Sequence, residues 1–543
     1  MKSKLCLLGV LSVISLSAFE AKAGIIPRPT NLTIDKNNDS LLPSEWNVTI
    51  SPERKDDFAQ FQEVLSQWDD SIRFFQSCNS PNHNFRLRHK PNMSKESYML
   101  VVDSSDKSPI VTLEYGDYAG GLYGMLSFLK LIKDAQDNGG KMYDTVIKDA
   151  PALGWRGVML DVSRHFFTVD EVKKLLDAMA LFKLNVLHLH LTDGPGWRFE
   201  VEKYPLLTEL GAWRYPDQGE WNWQGLKFPK KLGEQGANYG GFYTKKDLRE
   251  LLAYADQRGI KIVPEIDVPG HSFAAMLAYP ELRCEPNDFE NKGQKGQDAL
   301  CVGRPESLKM VQAALDELMS VLPKGSTIHL GGDEVAPTTW KTCKHCQDMM
   351  KRHNLSSEKD LQSVWLQELC NYVKSHGYRP MVWDECLEMK PLNDVDVMIW
   401  RDKKLMAKAK SQNKKVVLSP CSDLYFDYYQ ADPQTEPKAI GGYIPLDQVY
   451  RFTIPDGDDK STVLGMQGNT WTEYMKDWSH VSYMIWPRGI ALAERAWVGN
   501  DKNSDYEEFQ KRMNEYLQLM EEKDYNFKKP ESYRGIKNDG LFK

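Results

Sequence analysis

From Pro151 onward the chain alternates short apolar runs with amphipathic stretches, and this rhythm restricts the fold more than any other feature. The runs are Gly157–Asp161, Val186–Leu191, Ile260–Ile266, Thr327–Leu330, Met381–Trp383, Val395–Trp400, Val416–Ser419 and Val463–Met466. Helical patterns fall between several of them. One starts at the capping box Thr168-x-x-Glu171, with Val172, Leu175, Leu176 and Met179 on one stripe. Others carry Leu248, Leu251 and Ala255, then Leu308, Val311 and Leu315, then Leu361, Trp365 and Leu369. Strands separated by helices need crossover connections and therefore a parallel sheet. Eight such units predict an α/β fold, a (β/α)8 barrel over residues 151–500. The alternative is an open doubly wound sheet, but no Gly-x-Gly-x-x-Gly follows the first run. The stretch Gly194–Tyr243 exceeds an ordinary connection, and its tryptophans predict that it is ordered.

The remainder of the chain differs. Lys2 and Lys4 precede an apolar stretch from Leu5 to Phe19, followed by Ala21-Lys22-Ala23. This is the pattern of a cleaved secretory leader over residues 1–23, and it predicts export to periplasm, cell surface or medium. Residues 24–150 mix short apolar runs, such as Tyr98–Val102 and Ile110–Leu113, with one helical segment near Leu122–Ile132. They predict a small α+β domain. Residues 501–543 supply a last helix near Tyr506–Glu521 and a tail expected to pack on the barrel. A net charge of −7 leaves no basic footprint for nucleic acid, and no later apolar run is long enough to span a bilayer.

Export makes the cysteines candidate disulfides. Cys284 and Cys301 bracket a polar loop. Cys343-x-x-Cys346 fits a tight disulfide, half a metal site or a redox pair. The absence of a second C-x-x-C argues against a four-cysteine zinc site, and spacing leaves connectivity open.

Barrel active sites sit at the C-terminal ends of the strands. Here those ends lead to Asp161, Asp193, Asp267 with His271, Asp333-Glu334, Trp383-Asp384-Glu385, Trp400, Tyr425 with Asp427, and Trp471 with Glu473. Carboxylates accept hydrogen bonds from sugar hydroxyls, and indole faces stack on pyranose rings. The set describes a carbohydrate pocket whose acids can do acid–base chemistry.

The stretch His329-x-Gly-Gly-Asp333-Glu334 resembles the signature of the family 20 glycoside hydrolases, the β-N-acetylhexosaminidases. The resemblance extends through Arg156-Gly-x-x-Leu-Asp161-x-Ser-Arg164-His165, His188-x-His190-Leu-Thr-Asp193 and Glu265-Ile-Asp267-x-Pro-Gly-His271. It continues through Val382-Trp383-Asp384-Glu385, Trp471-x-Glu473, Trp486-Pro487-Arg488 and Glu494-Arg495-x-Trp497.

The resemblance implies an exo-acting, retaining enzyme that removes terminal β-linked N-acetylglucosamine or N-acetylgalactosamine from glycans or chitin oligomers. It implies no cofactor and no metal. The substrate's own 2-acetamido oxygen is the nucleophile and an oxazolinium ion the intermediate. Asp333 then orients the acetamide and stabilises positive charge on its nitrogen, Tyr425 donates to its oxygen, and Glu334 is the general acid and base. Trp383, Trp400 and Trp471 wall the pocket. Asp427 and Glu473 hold outer hydroxyls, and Asp193 with His271 forms a relay behind Glu334. Arg156 is assigned to ring hydroxyls. Its rival role is an ion pair closing the barrel bottom, since it precedes the first strand. A metal hydrolase using His188, His190, His271, His329 and Asp333 is the main competing reading, and oligomeric state is left open.

Overall fold

Seven strands precede the barrel: β1 (Asn31–Leu41), β2 (Trp46–Thr49), β3 (Phe74–Gln76), β4 (Phe85–His89), β5 (Tyr98–Asp103), β6 (Ile110–Tyr115) and β7 (Lys141–Asp149). The computed structural model describes residues 24–76, 84–217, 219–285, 298–455, 461–501 and 504–533. The expected leader and Cys78 lie outside the described residues. The seven strands form one sheet in the order β1-β7-β5-β6-β4-β2-β3. Alternate residues of β5 and β6 are buried, the period-two signature of a sheet with one covered face. Helices α1 (Lys55–Ser66) and α2 (Tyr118–Asp137) supply the cover.

The barrel strands are β8 (Trp155–Asp161), β9 (Val186–His190), β10 (Lys261–Glu265), β11 (Thr327–His329), β12 (Arg379–Trp383), β13 (Asp396–Ile399), β14 (Val416–Leu418) and β15 (Val463–Thr470). Each pairs in parallel with the next, and β15 returns to β8, so the sheet closes. Every predicted run is a barrel strand, and closure excludes the open sheet. The strands are buried almost throughout, as covering on both faces requires. The outer layer includes α3 (Val169–Leu181), α4 (Lys245–Asp256), α5 (Pro305–Met319), α6 (Lys344–Arg352), α7 (Glu358–Ser375) and α8 (Arg488–Val498). The capping box forms as expected, with Thr168 and Glu171 each satisfying the other's backbone N–H. A final helix, α9 (Tyr506–Glu522), lies against this layer through Arg512, which pairs with Glu494 at 2.8 Å and donates to the Ile25 carbonyl.

The N-terminal sheet docks on the barrel's N-terminal end. Lys183, just ahead of β9, donates to Tyr98 at 3.0 Å and Ser127 at 2.9 Å, and Trp497 donates to Asp149 at 2.9 Å. The opposite end is left open. Within the described residues of the long segment after β9, Trp213–Arg214 pairs with Tyr239–Gly240, and the buried Arg198 guanidinium donates to the carbonyls of Ser163, Ala212 and Gly241. Among the described residues no helix is long and apolar enough to cross a membrane.

Candidate active site

The loop after β11 turns on two glycines. Gly331 and Gly332 have φ of 66° and 99°. A Cβ on Gly331 would fall 1.8 Å from the Asp267 carboxylate, so only glycine lets the two loops touch. Asp267 accepts from the Gly332 N–H at 3.1 Å, and Gln362 of α7 donates to the Gly332 carbonyl at 2.8 Å. The turn presents Asp333 buried and Glu334 exposed at the rim. Glu334 and His271 both have φ of 51°, a strained conformation for residues with side chains, and strain of this kind gathers at functional sites.

His271 joins the acids. Its Nδ1 lies 3.1 Å from Asp193, and its Nε2 lies 3.6 Å from Asp333 and 3.8 Å from Glu334. Burial opposes charge on this imidazole, but Asp193, Asp267 and Asp333 raise its pKa well above the ordinary value. Burial likewise raises Asp333, helped by the Asp267 charge. Burial also pushes on Asp193, yet Arg164 at 2.7 Å and His271 outweigh it and hold that carboxyl below the usual range. Like acids thus sit side by side in different protonation environments.

Trp383, Trp400, Tyr425 and Trp471 form the opposite wall. Trp383 and Trp471 have ring centroids 6.1 Å apart, and Trp400 and Tyr425 are stacked at 6.2 Å. Two acids position the indoles: Trp383 donates to Glu265 at 2.8 Å and Trp400 to Glu385 at 3.2 Å. Burial, with the Asp384 charge, raises Glu385 to about 7. Tyr425 bridges to Asn469 of β15. Its loop is pinned from below by Arg488, which donates to the carbonyls of Phe426 and Tyr428. That explains the Trp486-Pro487-Arg488 motif as support for the site. Asp427 and Glu473 complete the ring, both raised by burial.

These groups enclose a cavity of about 300 Å³, the small end of ligand pockets (~300–1,000 Å³). Asp333 Oδ1, Asp427 Oδ1 and Glu473 Oε2 are buried without a protein partner. Buried acceptors normally have one, and these three border the cavity, where a ligand's donors can reach them. Asp193, His271, Asp333, Glu334, Trp383, Trp400, Tyr425, Asp427, Trp471 and Glu473 all line this cavity, as predicted.

Arg156 does not. It lies at the other end of β8, where it pairs with Glu96 at 2.7 Å and donates to Tyr123 and the carbonyls of Leu153 and Lys183. The expected sugar contact is corrected to the rival role, an ion pair at the barrel bottom. The arginine in the cavity is Arg164, three residues past the end of β8. Its place after the strand was the available signal. Tyr428 and Gly441-Gly442 also line the cavity, and nothing in their sequence context marked them.

The histidines of the competing metal reading are divided. His188, His190 and His329 surround Glu265, which is buried in the barrel: the His190 Nδ1 is 2.6 Å from it, the His329 Nδ1 2.9 Å and the His188 Nε2 3.1 Å. Burial opposes ionisation of Glu265, but the three imidazoles bring its pKa well below normal. The ionised carboxylate then fixes the Trp383 indole.

A parallel barrel whose open end holds a one-ring hollow of acids and indoles is the architecture of a barrel glycosidase. Residues 153–500 match the glycosyl hydrolase family 20 catalytic domain, and residues 22–150 match domain 2 of the same family. The chain belongs to glycosyl hydrolase family 20. It is 37% identical over 434 residues to a β-hexosaminidase of Porphyromonas gingivalis, covering 78% of this chain and 53% of that protein. It is 33% identical over 417 residues to a β-hexosaminidase of Vibrio furnissii, covering 75% and 66%. The chain thus spans about half the length of the first relative and 66% of the second. Among solved structures, an exo β-N-acetylglucosaminidase of Vibrio harveyi in complex with N-acetylglucosamine superposes with a TM-score of 0.81 at 27% identity, covering 94% of this chain and 79% of that one. A β-N-acetylhexosaminidase of Bacteroides fragilis gives 0.76 at 25% identity, covering 93% and 96%.

Proposed function

We propose that this protein is an exo-acting, retaining β-N-acetylhexosaminidase that uses the substrate's 2-acetamido group as nucleophile. The observation that carries the reading is the paired arrangement of Asp333 and Glu334. Asp333 is buried beside His271 and faces a cavity wall of three indoles and Tyr425, while Glu334 stands at the rim. An acetamide held between Tyr425 and Asp333 has its oxygen and nitrogen satisfied at once. Good orientation of an intramolecular nucleophile is worth an effective molarity of ~10⁵ M or more.

In this mechanism Glu334 protonates the leaving oxygen as the acetamide oxygen attacks the anomeric carbon. Positive charge develops on the acetamide nitrogen. The acetamide N–H donates to the Asp333 carboxylate: burial alone raises the pKa of this group, and the positive charge growing on the nitrogen favours its ionised form, which the low-dielectric pocket pairs strongly. Glu334 then deprotonates the water that opens the oxazolinium ring. His271, held cationic by Asp193, places its positive charge 3.6 Å from Asp333 and 3.8 Å from Glu334. Arg164, Asp427 and Glu473 hold the outer hydroxyls of a terminal ring. The small cavity favours a single terminal sugar over a chain interior. The names of the relatives support the same class, and the N-terminal apolar segment makes export part of the proposal.

The test is a panel of aryl β-glycosides with and without the 2-acetamido group. Only acetamido substrates are expected to turn over, the first-formed product is expected to keep the β configuration, and a thiazoline analogue of the oxazolinium is expected to inhibit strongly. Turnover of a plain β-glucoside at a similar rate overturns the reading.

A further inference from the structure

Cys284, Cys301, Cys343 and Cys346 come from two different loops of the barrel's open end and meet in one buried cluster. Cys284 and Cys301 belong to the excursion after β10, which carries His271. Cys343 and Cys346 open α6, directly after the loop carrying Asp333 and Glu334. The sulfurs of Cys284 and Cys346 are 3.7 Å apart, those of Cys301 and Cys343 3.6 Å, and those of Cys301 and Cys346 3.7 Å. A disulfide needs about 2.05 Å. Four thiolates around one zinc at about 2.3 Å stand about 3.8 Å from one another, by tetrahedral geometry. The observed spacing is the second kind.

The surroundings suit a metal. A Cβ on Gly303 would fall 2.2 Å from the His345 backbone, so glycine is what lets the two loops close on the cluster. Cys343 occupies the N-cap position of α6, where the helix dipole favours anions. Beside the cluster, the buried Trp340 donates to the Leu300 carbonyl at 2.9 Å.

We propose that these four cysteines bind one zinc ion, which fastens the His271 loop to the Asp333–Glu334 loop. All four ligands are protein sulfurs, so no position is left for water and the ion is structural. A lone C-x-x-C does not exclude such a site here, because the other two cysteines are brought beside it in space and not in sequence.

The full chain, purified without chelator, is expected to carry about one zinc per molecule by elemental analysis. X-ray absorption at the zinc edge is expected to show four sulfur neighbours. A mercurial should release the metal in step with modification of four thiols. Soluble Cys346→Ser protein should lose the zinc and melt at a temperature on the order of 5 °C lower. Zinc with nitrogen or oxygen neighbours, or zinc retained in Cys346→Ser, overturns the site. So does metal-free protein whose peptides show these cysteines joined as disulfides. If Cys346→Ser does not fold, the wild-type measurements alone decide. Activity on aryl glycosides tests the hexosaminidase reading separately, since a structural zinc can be present or absent whatever the substrate.

Discussion

Arg156 and Arg164 stand at opposite ends of the same strand, both buried and both beside carboxylates, and their surroundings differ in one respect. The Arg156 guanidinium makes five hydrogen bonds to protein, matching its five donors. It closes the contact between the N-terminal sheet and the barrel. Arg164 reaches Asp161 at 3.3 Å, Asp193 at 2.7 Å and Glu473 at 3.8 Å, while its Nε has no protein partner. Around it, acceptors on Asp333, Asp427 and Glu473 are also unpartnered. One end of the barrel spends its polar groups on the fold. The other keeps them for a ligand and tolerates the desolvation this entails.

The strongest way to break this contrast is at the open end. Glu334→Gln is expected to lower kcat/KM by roughly 10²–10⁴ on substrates with poor leaving groups and far less on aryl substrates with good ones, because general acid help matters only where the leaving group needs a proton. Equal losses on both series in steady-state kinetics remove Glu334 from the acid role. Next comes the exchange of arginines. Arg164→Met is expected to cost roughly 10²-fold in kcat/KM, the order of 2–3 kcal/mol for a buried charge-assisted contact, and also to lower the melting temperature, because Asp161 and Asp193 are left buried without their cation. Arg156→Met should affect stability alone. It leaves Glu96 without its cation, which costs roughly 3 kcal/mol of stability, while kcat/KM per folded molecule stays within about threefold. Calorimetry and kinetics on the two variants side by side check the pair. If Arg156→Met lowers kcat/KM more than Arg164→Met, the assignment of the two ends is reversed.

Two smaller effects sharpen the comparison. Asp193 is the foremost of the carboxylates that raise His271. In Asp193→Asn the imidazolium loses its proton at lower pH, so the alkaline limb of the kcat/KM profile should move to lower pH. A pH–rate profile with an unmoved limb separates His271 from catalysis. The last concerns stability. The Asp333 carboxyl has a higher pKa folded than unfolded, so above the unfolded value of ~3.9 the native state holds more protons than the unfolded one. Stability contributed by this group therefore falls as pH rises from there toward the folded pKa. Asp333→Asn removes the penalty. It should melt with the wild type below about pH 4 and a few degrees higher near neutrality, while losing nearly all turnover. Melting curves across pH check the sign.

Local sequence carried much of this. All eight barrel strands were legible because a parallel strand covered on both faces is a short continuous apolar run, bounded by helices with their own period. The positions at their C-terminal ends then identified ten of the cavity residues, since closure of the barrel brings those ends to one place whatever lies between. Arg156 was misplaced although it sits at the start of its strand; its short-range context is the same motif that contains Arg164, and a resemblance between motifs does not say which of two arginines points up. Tyr428 and the Gly441-Gly442 edge could not be found, because a loop's contribution to a cavity depends on where it folds back.

The chain by itself therefore determined the barrel, its open end and the acids and indoles that line it, because hydrophobic period and strand direction are local properties. Only the tertiary structure decided which arginine faces the cavity, that Glu265 gathers three histidines inside the barrel, and that four cysteines from two loops share one point. Those are meetings of residues distant along the chain, and their geometry exists only after the loops have packed.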